Sequence, residues 1–385
     1  PYATGLFPVA MDEELYIEFL PPVREAVGMS FSERNKKGFK LGMNKGIDFF
    51  FGLGSVAYYV STSLSSLSGK SSQSSGDSKA ASQSKTAVRI TPVAMLRLLR
   101  AKYRASKDHR EILPRDLFKL KGFFVAGTDN FCYRDDLERM WGVRPLELFA
   151  GTEPSCIGLE TWSRSGIYLF PDTCFYEFIP ESEMKRNLVN PNYKPRTCLM
   201  NEVWPGEKYE LVVSVLKGGA FMRYRAGDVY RCVGLTNPED GTRIPRFNYI
   251  DRVPTVIDIA GFTRITENSI NSVIEVSGLG ITDWVAMKEY TPNKRPYLHL
   301  YVELSPEAVT NSAVSREILR DHLSIYFKYV DNDYHDLKKI LGIDPLEITI
   351  LRCGSFAEYS KRHGPLSRRV NPDAIEIREL TEIMK

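Results

Sequence analysis

Between Gly166 and Ile259 the chain abandons helical spacing for six short apolar runs: Gly166–Phe170, Cys174–Ile179, Tyr209–Val215, Val229–Leu235, Phe247–Ile250 and Val256–Ile259. Gly, Pro, Asn and Asp punctuate them, the pattern of a barrel-like or sandwich β subdomain. Upstream, apolar residues recur at helical spacing over Met11–Val60. The sequence turns strongly apolar from Ile47, where Phe49, Phe50, Phe51, Tyr58 and Tyr59 predict a buried helix or a helix–strand junction. Thr91–Tyr103 predicts a basic amphipathic helix through Met95, Leu98, Leu99 and Tyr103 with its Arg and Lys residues in water. Gly122–Asp129 reads as a short buried strand ending in a Gly turn, and Asp135–Met140 as helix, which is an α/β sequence of elements. Downstream, Ser269–Val276, Trp284–Tyr290, Tyr297–Leu304, Ser315–Tyr329 and Leu346–Leu351 alternate helix and strand again.

At 385 residues, two or more folding units are expected. The predicted class is α/β with a β-barrel-like subdomain and a small C-terminal α+β domain. Residues 1–165 fall in a large α/β domain, 166–254 in its β-rich subdomain and 255–385 in the C-terminal domain, hinged near Asp251–Gly261. Residues 61–85 are dominated by Ser and cannot bury enough apolar surface to offset their ordering entropy, so they are expected to be a flexible loop. Within it Ser68-Gly69-Lys70-Ser71 imitates the end of a phosphate loop, but Leu64 stands where the first Gly should be. The opening at Pro1, inside Pro-Tyr-Ala-Thr-Gly-Leu-Phe-Pro, reads as the interior of a longer protein.

A net charge of +3 gives no global drive toward nucleic acid or an anionic membrane, so neither is expected as a partner. The six cysteines form no C-x-x-C pair, which predicts reduced thiols and a cytoplasmic location. The opening residues do not read as a leader peptide and no apolar run reaches transmembrane length, so a soluble intracellular protein is expected.

Three constellations carry chemistry. In Leu148-Phe149-Ala150-Gly151-Thr152-Glu153-Pro154, Phe149 can stack on a base and Gly151 lets backbone approach a phosphate. Thr152 can donate to a phosphate oxygen, and Glu153 can hold Mg2+. In Phe221-Met222-Arg223-Tyr224-Arg225-Ala226-Gly227-Asp228, an Asp after a Gly turn can accept two hydrogen bonds from a ribose diol; an Asp that merely caps a turn fits the same residues. In Tyr249-Ile250-Asp251-Arg252-Val253-Pro254, Arg252 can reach a ribose or phosphate, and Pro254 with Gly261 brackets the hinge.

The order and separation of these three resemble one layout, that of the auxin-conjugating acyl-acid amido synthetase family, especially its bacterial relatives, within the adenylate-forming superfamily. Cys174-Phe175-Tyr176-Glu177-Phe178-Ile179-Pro180 is similar to the family's Phe-Glu-Phe strand, and Tyr209–Val213 to the strand before its Tyr-Arg-Gly-Asp turn. Pro1–Gly5 and Ser30–Arg34 also fit. The resemblance implies an adenylate-forming enzyme fold lacking its N-terminal part, with residues 255–385 as a lid. It implies ATP and AMP with Mg2+ as cofactors, a small carboxylic acid as substrate and an amine or thiol as acceptor.

By the same resemblance, Phe149 stacks on adenine, Thr152 touches the α-phosphate, Glu153 binds the metal, Asp228 holds the ribose hydroxyls and Arg252 assists. Gly127 and Thr128 lie where the family's adenine-side loop runs. The superfamily's Ser/Thr/Gly-rich phosphate loop is expected upstream of Pro1, and Arg368 or Arg369 stands near the position of its C-terminal adenylation lysine, a change that a planar guanidinium does not simply reproduce. Amide formation, thioester formation with coenzyme A, and a non-catalytic nucleotide-binding remnant all remain open to the sequence. The five histidines show no metal-like spacing.

Overall fold

The computed structural model describes residues 16–66, 91–151, 153–216, 220–310, 316–330 and 334–383. The chain forms two units, one comprising 1–52, 56–125 and 133–146, the other 53–55, 126–132 and 147–385.

In the first unit the helix Phe31–Lys45 begins at a capping box in which the Ser30 hydroxyl accepts from the Glu33 amide while Glu33 accepts from the Ser30 amide. Strand β1 (Phe49–Leu53) follows and neighbours β2 (Gly122–Ala126). Ile47–Val60 is thus a strand–helix junction, but β1 is not buried throughout: strand alternation leaves Phe49 and Phe51 exposed while Phe50 packs on Phe123 and Trp141. The helix Gly54–Ser66 continues six residues into the Ser-rich stretch, because Ser61 is buried and accepts from the Trp141 indole at 2.7 Å; residues 67–90, including the Ser68–Ser71 motif, lie outside the described residues.

The basic helix is Pro92–Lys107, capped by Thr91, and its stripe differs from the expected one. Ala94, Ala101 and Ala105 are buried, whereas Met95, Leu99 and Tyr103 are exposed. Nor is every basic residue solvated, since the Arg97 guanidinium donates to the carbonyls of Gly42, Met43 and Lys45 at the end of the helix Phe31–Lys45.

In the second unit seven antiparallel strands lie in the order β3-β4-β5-β9-β8-β7-β6. They are β3 (Leu146–Gly151), β4 (Ser155–Glu160), β5 (Ile167–Leu169), β6 (Phe175–Pro180), β7 (Lys208–Ser214), β8 (Tyr224–Gly234) and β9 (Arg246–Arg252). One face buries Ile157, Leu169, Phe178, Leu211, Val213, Tyr230 and Phe247, with Phe178 stacked on Phe247. A hairpin of β10 (Val256–Ile259) and β11 (Thr263–Thr266) leads to a three-stranded sheet of β12 (Ile281–Tyr290), β13 (Pro296–Leu304) and β14 (Leu346–Leu351).

Alternation along β13 builds two layers on that sheet. Leu298, Leu300 and Val302 meet the helices Glu267–Ser277 and Arg316–Val330 through Ile270, Val273, Leu319, Leu323 and Phe327. Tyr301, with Val285 and Leu351, meets the helices Ser355–His363 and Ala374–Glu382 through Phe356, Tyr359, Ile377 and Leu380. Among the described residues no helix is long and apolar enough to cross a membrane.

Candidate nucleotide site

The β7–β8 pairing contains the device that presents Asp228. Val212 pairs with Arg225 and Glu210 with Val229, so Ala226, Gly227 and Asp228 together oppose Leu211. This is a bulge, and Gly227 supplies the positive φ of +80° that it needs. On the other side Asp228 pairs directly with Arg252 of β9. The guanidinium lies 3.2 Å from Asp228 Oδ1 and also donates to the Ala226 carbonyl at 2.7 Å.

Asp228 is 4% exposed. Burial pushes its carboxyl up to about 6, with Arg252 and Arg264 pulling it back toward the ordinary carboxylate range. The Tyr249 hydroxyl donates to the same Oδ1 at 3.4 Å, and the Phe149 ring is stacked on the Tyr249 ring at 5.8 Å. Phe149 is half-buried and also meets Tyr230 edge-on, so the Tyr249 ring already occupies one of the two faces on which a base could stack.

From Arg252 the network continues. Its Nε lies 3.3 Å from Asp258, a 1% exposed carboxylate that accepts from the Thr128 hydroxyl at 2.7 Å and from the Gly261 amide at 2.9 Å. Phe149, Asp228, Arg252 and Thr128 therefore stand in one continuous chain of contacts through Tyr249 and Asp258. Glu153 joins the same sheet from β3's turn, its Oε1 accepting from the Tyr224 hydroxyl at 3.1 Å. Thr152 lies outside the described residues. Gly151 ends β3, where a Cβ would come 3.2 Å from Pro154 and 3.4 Å from the Glu153 carboxylate.

Gly127 and Thr128 are held by the β10–β11 turn. Ile259 pairs with Thr263, so the loop has three residues; Ala260 and Gly261 both have positive φ, and the Phe262 amide closes the turn on the Ile259 carbonyl. A Cβ on Gly261 would sit 3.0 Å from the Thr128 amide nitrogen and 3.2 Å from the Gly127 Cα. Gly261→Ala is expected to cost about 2 kcal/mol of stability, from the left-handed backbone and the displaced loop, measurable by chemical denaturation.

The two arginines near the C-terminus are engaged elsewhere. Arg368 donates to the Asn371 carbonyl at 2.7 Å and pairs with Asp373 at 3.2 Å. Arg369 pairs with Asp283, donates to the Trp284 carbonyl at 3.1 Å and lies over the Trp284 ring. None of these contacts reaches Phe149, Glu153 or Asp228.

For Mg2+, no group of three or more His, Cys, Asp or Glu forms a protein-only cage among the described residues. Magnesium commonly keeps its waters and uses one or two carboxylates with substrate phosphates, and a half-buried Glu153 fits that donor set.

Tyr249, Asp258, Tyr224 and Asp129 have no role legible in the three motifs. Asp258 carried a usable signal, a carboxylate inside the apolar run Val256–Ile259. Asp129 and the tyrosines gave none, because their significance lies in partners distant along the chain.

The fold is shared with an adenylate-forming enzyme, 2-hydroxyisobutyryl-CoA ligase, solved with 2-HIB-AMP and CoA in its thioesterification state; the likeness covers 92% of this chain and 60% of that one at 18% identity, with a TM-score of 0.51. Residues 167–252, the stretch from β5 to β9, match the GH3 family central domain. The chain is 27% identical over 203 residues to jasmonoyl–L-amino acid synthetase GH3.5 of Oryza sativa subsp. japonica, covering 49% of this chain and 32% of the relative. It is 23% identical over 206 residues to indole-3-acetic acid-amido synthetase GH3.10 of Arabidopsis thaliana, covering 50% and 32%. The matched stretch thus spans about a third of either curated relative. The resemblance to acyl-acid amido synthetases drawn from the sequence is borne out.

Proposed function

We propose that the protein joins a small carboxylic acid to AMP at the expense of ATP and passes the acyl group to an amine, as in amino-acid conjugation. The observation that carries this reading is the unbroken contact chain Phe149–Tyr249–Asp228–Arg252–Asp258–Thr128, formed around the GH3-type segment. In it the Asp228 carboxylate accepts the ribose hydroxyls and Arg252 keeps that carboxylate ionised and oriented. The exposed part of the Phe149 ring flanks the base, and the Gly127–Thr128 loop borders it. Thr152 donates to the α-phosphate, and Glu153 holds the Mg2+ that offsets charge on the phosphates.

An oxygen of the substrate carboxylate attacks the α-phosphorus in line as the bond to the β-phosphate oxygen breaks and pyrophosphate leaves. The amine nitrogen then attacks the acyl carbon, loses a proton and displaces AMP. Arg368 and Arg369 are proposed to serve the first step, for which they must exchange their present partners on β12 and near Asn371. The same reading makes 255–385 a lid hinged at Asp251–Gly261, and a cytoplasmic location accords with six free cysteines.

The test is pyrophosphate release from ATP over a panel of carboxylic acids, with amino acids or coenzyme A as acceptor. Acid-dependent release with amide product supports the proposal. A thioester product moves it to the ligase alternative, and no acid-dependent release under any condition removes both in favour of a non-catalytic module. Glu153→Gln is expected to lower acid-dependent release about tenfold, the scale of one lost charge-assisted contact, with the change largest at limiting Mg2+.

A further inference from the structure

We propose that Lys288 is a positioning residue for the nucleotide site, its ammonium fixing the loop that carries Thr128 against the strand end that carries Arg252; this rests on the reading of that site given above. Lys288 lies on β12 with its side chain 4% exposed. Its ammonium is 2.8 Å from Asp129 and 3.1 Å from Asp251, and it stands 5.6 Å from the centre of the Tyr290 ring.

Each carboxylate is itself tied to the site. Asp129 accepts from the Ala260 amide at 2.8 Å through its other oxygen, and from the Tyr290 hydroxyl at 2.9 Å. Asp251 accepts from the Arg252 amide at 2.8 Å. Asp129 follows Thr128 and Asp251 precedes Arg252, so one buried ammonium links the backbones of the two segments whose side chains meet on Asp258.

The chemistry favours a clamp over an incidental ion pair. Burial alone would drive a lysine toward the neutral form, but Asp129 and Asp251 more than offset it and hold Lys288 charged. Two carboxylates sharing one cation repel each other once it is gone. Each would then pull its own segment toward water or a proton. Because Thr128 and Arg252 are one residue away, a displacement of about 1 Å there reaches the groups that set the orientation of Asp228.

The experiment uses Lys288→Met, with AMP as the binding probe and pyrophosphate release as the kinetic one. The expected result is a rise of about tenfold or more in the AMP Kd and the ATP KM, with the carboxylic-acid KM within about twofold of wild type. A protein that is folded by circular dichroism and binds AMP as wild type does overturns the inference. So does an even loss of activity with neither KM changed, the sign of a merely structural role. If Lys288→Met does not fold, Asp251→Asn decides, since it removes one arm of the clamp at constant volume. About a threefold rise in AMP Kd supports the inference, and an unchanged Kd overturns it. A wild-type protein that binds no AMP overturns the function proposed above as well, which separates that failure from one confined to Lys288.

Discussion

Asp228→Asn is expected to yield a protein that is more stable than the parent above pH 6 and binds nucleotide far more weakly. Burial pushes the Asp228 carboxyl up to about 6 from an ordinary value of 3.8, the Arg252 and Arg264 charges offsetting only part of the cost. Between those two values the unfolded chain has released the proton and the folded chain still holds it. The folded state therefore binds more protons, and stability falls as pH rises through that window, the full penalty being present above about 6. A shift of this size corresponds to on the order of 2–3 kcal/mol. Asn is neutral at every pH and carries none of it.

Urea denaturation of the two proteins should agree near pH 4, diverge up to pH 6 and stay apart above it. The opposite sign, a variant weaker at pH 8, would mean that the Arg252 pair outweighs the desolvation of Asp228. For binding, the amide keeps one acceptor where the carboxylate had two, and the ribose diol loses a charge-assisted partner. AMP affinity should fall about a hundredfold or more, on a scale of 1.5–3 kcal/mol for each hydrogen bond to a charged group. In the wild type the same affinity should weaken as pH falls through about 6, because the protonated acid can accept less.

What the sequence made legible was whatever short-range pattern encodes. The run Val256–Ile259 is β10 residue for residue, and Leu346–Leu351 is β14, since turn residues bound both. β8 begins at Tyr224, five residues before the apolar run that announced it, because Tyr-Arg-Ala-Gly-Asp looks like a turn and is instead a bulge inside a strand. In Pro92–Lys107 the large apolar residues promised the buried stripe, yet the alanines are the residues that pack, and small side chains give periodicity little weight.

The candidate site divides in the same way. Phe149, Asp228 and Arg252 were accessible because a small motif surrounds each, whereas Tyr249, Asp129 and Lys288 act through partners up to about 160 positions away and leave no local mark. Register explains the difference for Arg252. Its pairing with Asp228 follows from the β8–β9 ladder, which is fixed by Tyr230, Cys232 and Phe247 lying on the core face.

Arg225, three residues before Asp228, should be among the most sensitive positions in the unit. Its guanidinium grips Glu210 in a fork, Nε to Oε1 at 2.8 Å and one terminal nitrogen to Oε2 at 2.7 Å, and its other terminal nitrogen donates to Asn187 at 2.9 Å. Glu210 is 1% exposed, and it faces Val229 across the ladder, one step from the bulge that carries Asp228. Arg225→Met therefore leaves a carboxylate in the sheet with its guanidinium partner gone. The expected loss is about 3 kcal/mol, the lower end of the range for a broken buried pair, because the guanidinium itself is partly open to water. Adding Glu210→Gln should recover most of that loss, since the cost comes from the orphaned charge more than from the missing attraction. AMP affinity should fall in Arg225→Met and return only partly in the double variant, because a neutral amide without its guanidinium no longer anchors the strand at the bulge. Equal denaturation midpoints for Arg225→Met and wild type would place Glu210 in contact with water and leave Arg225 without a part in holding the sheet.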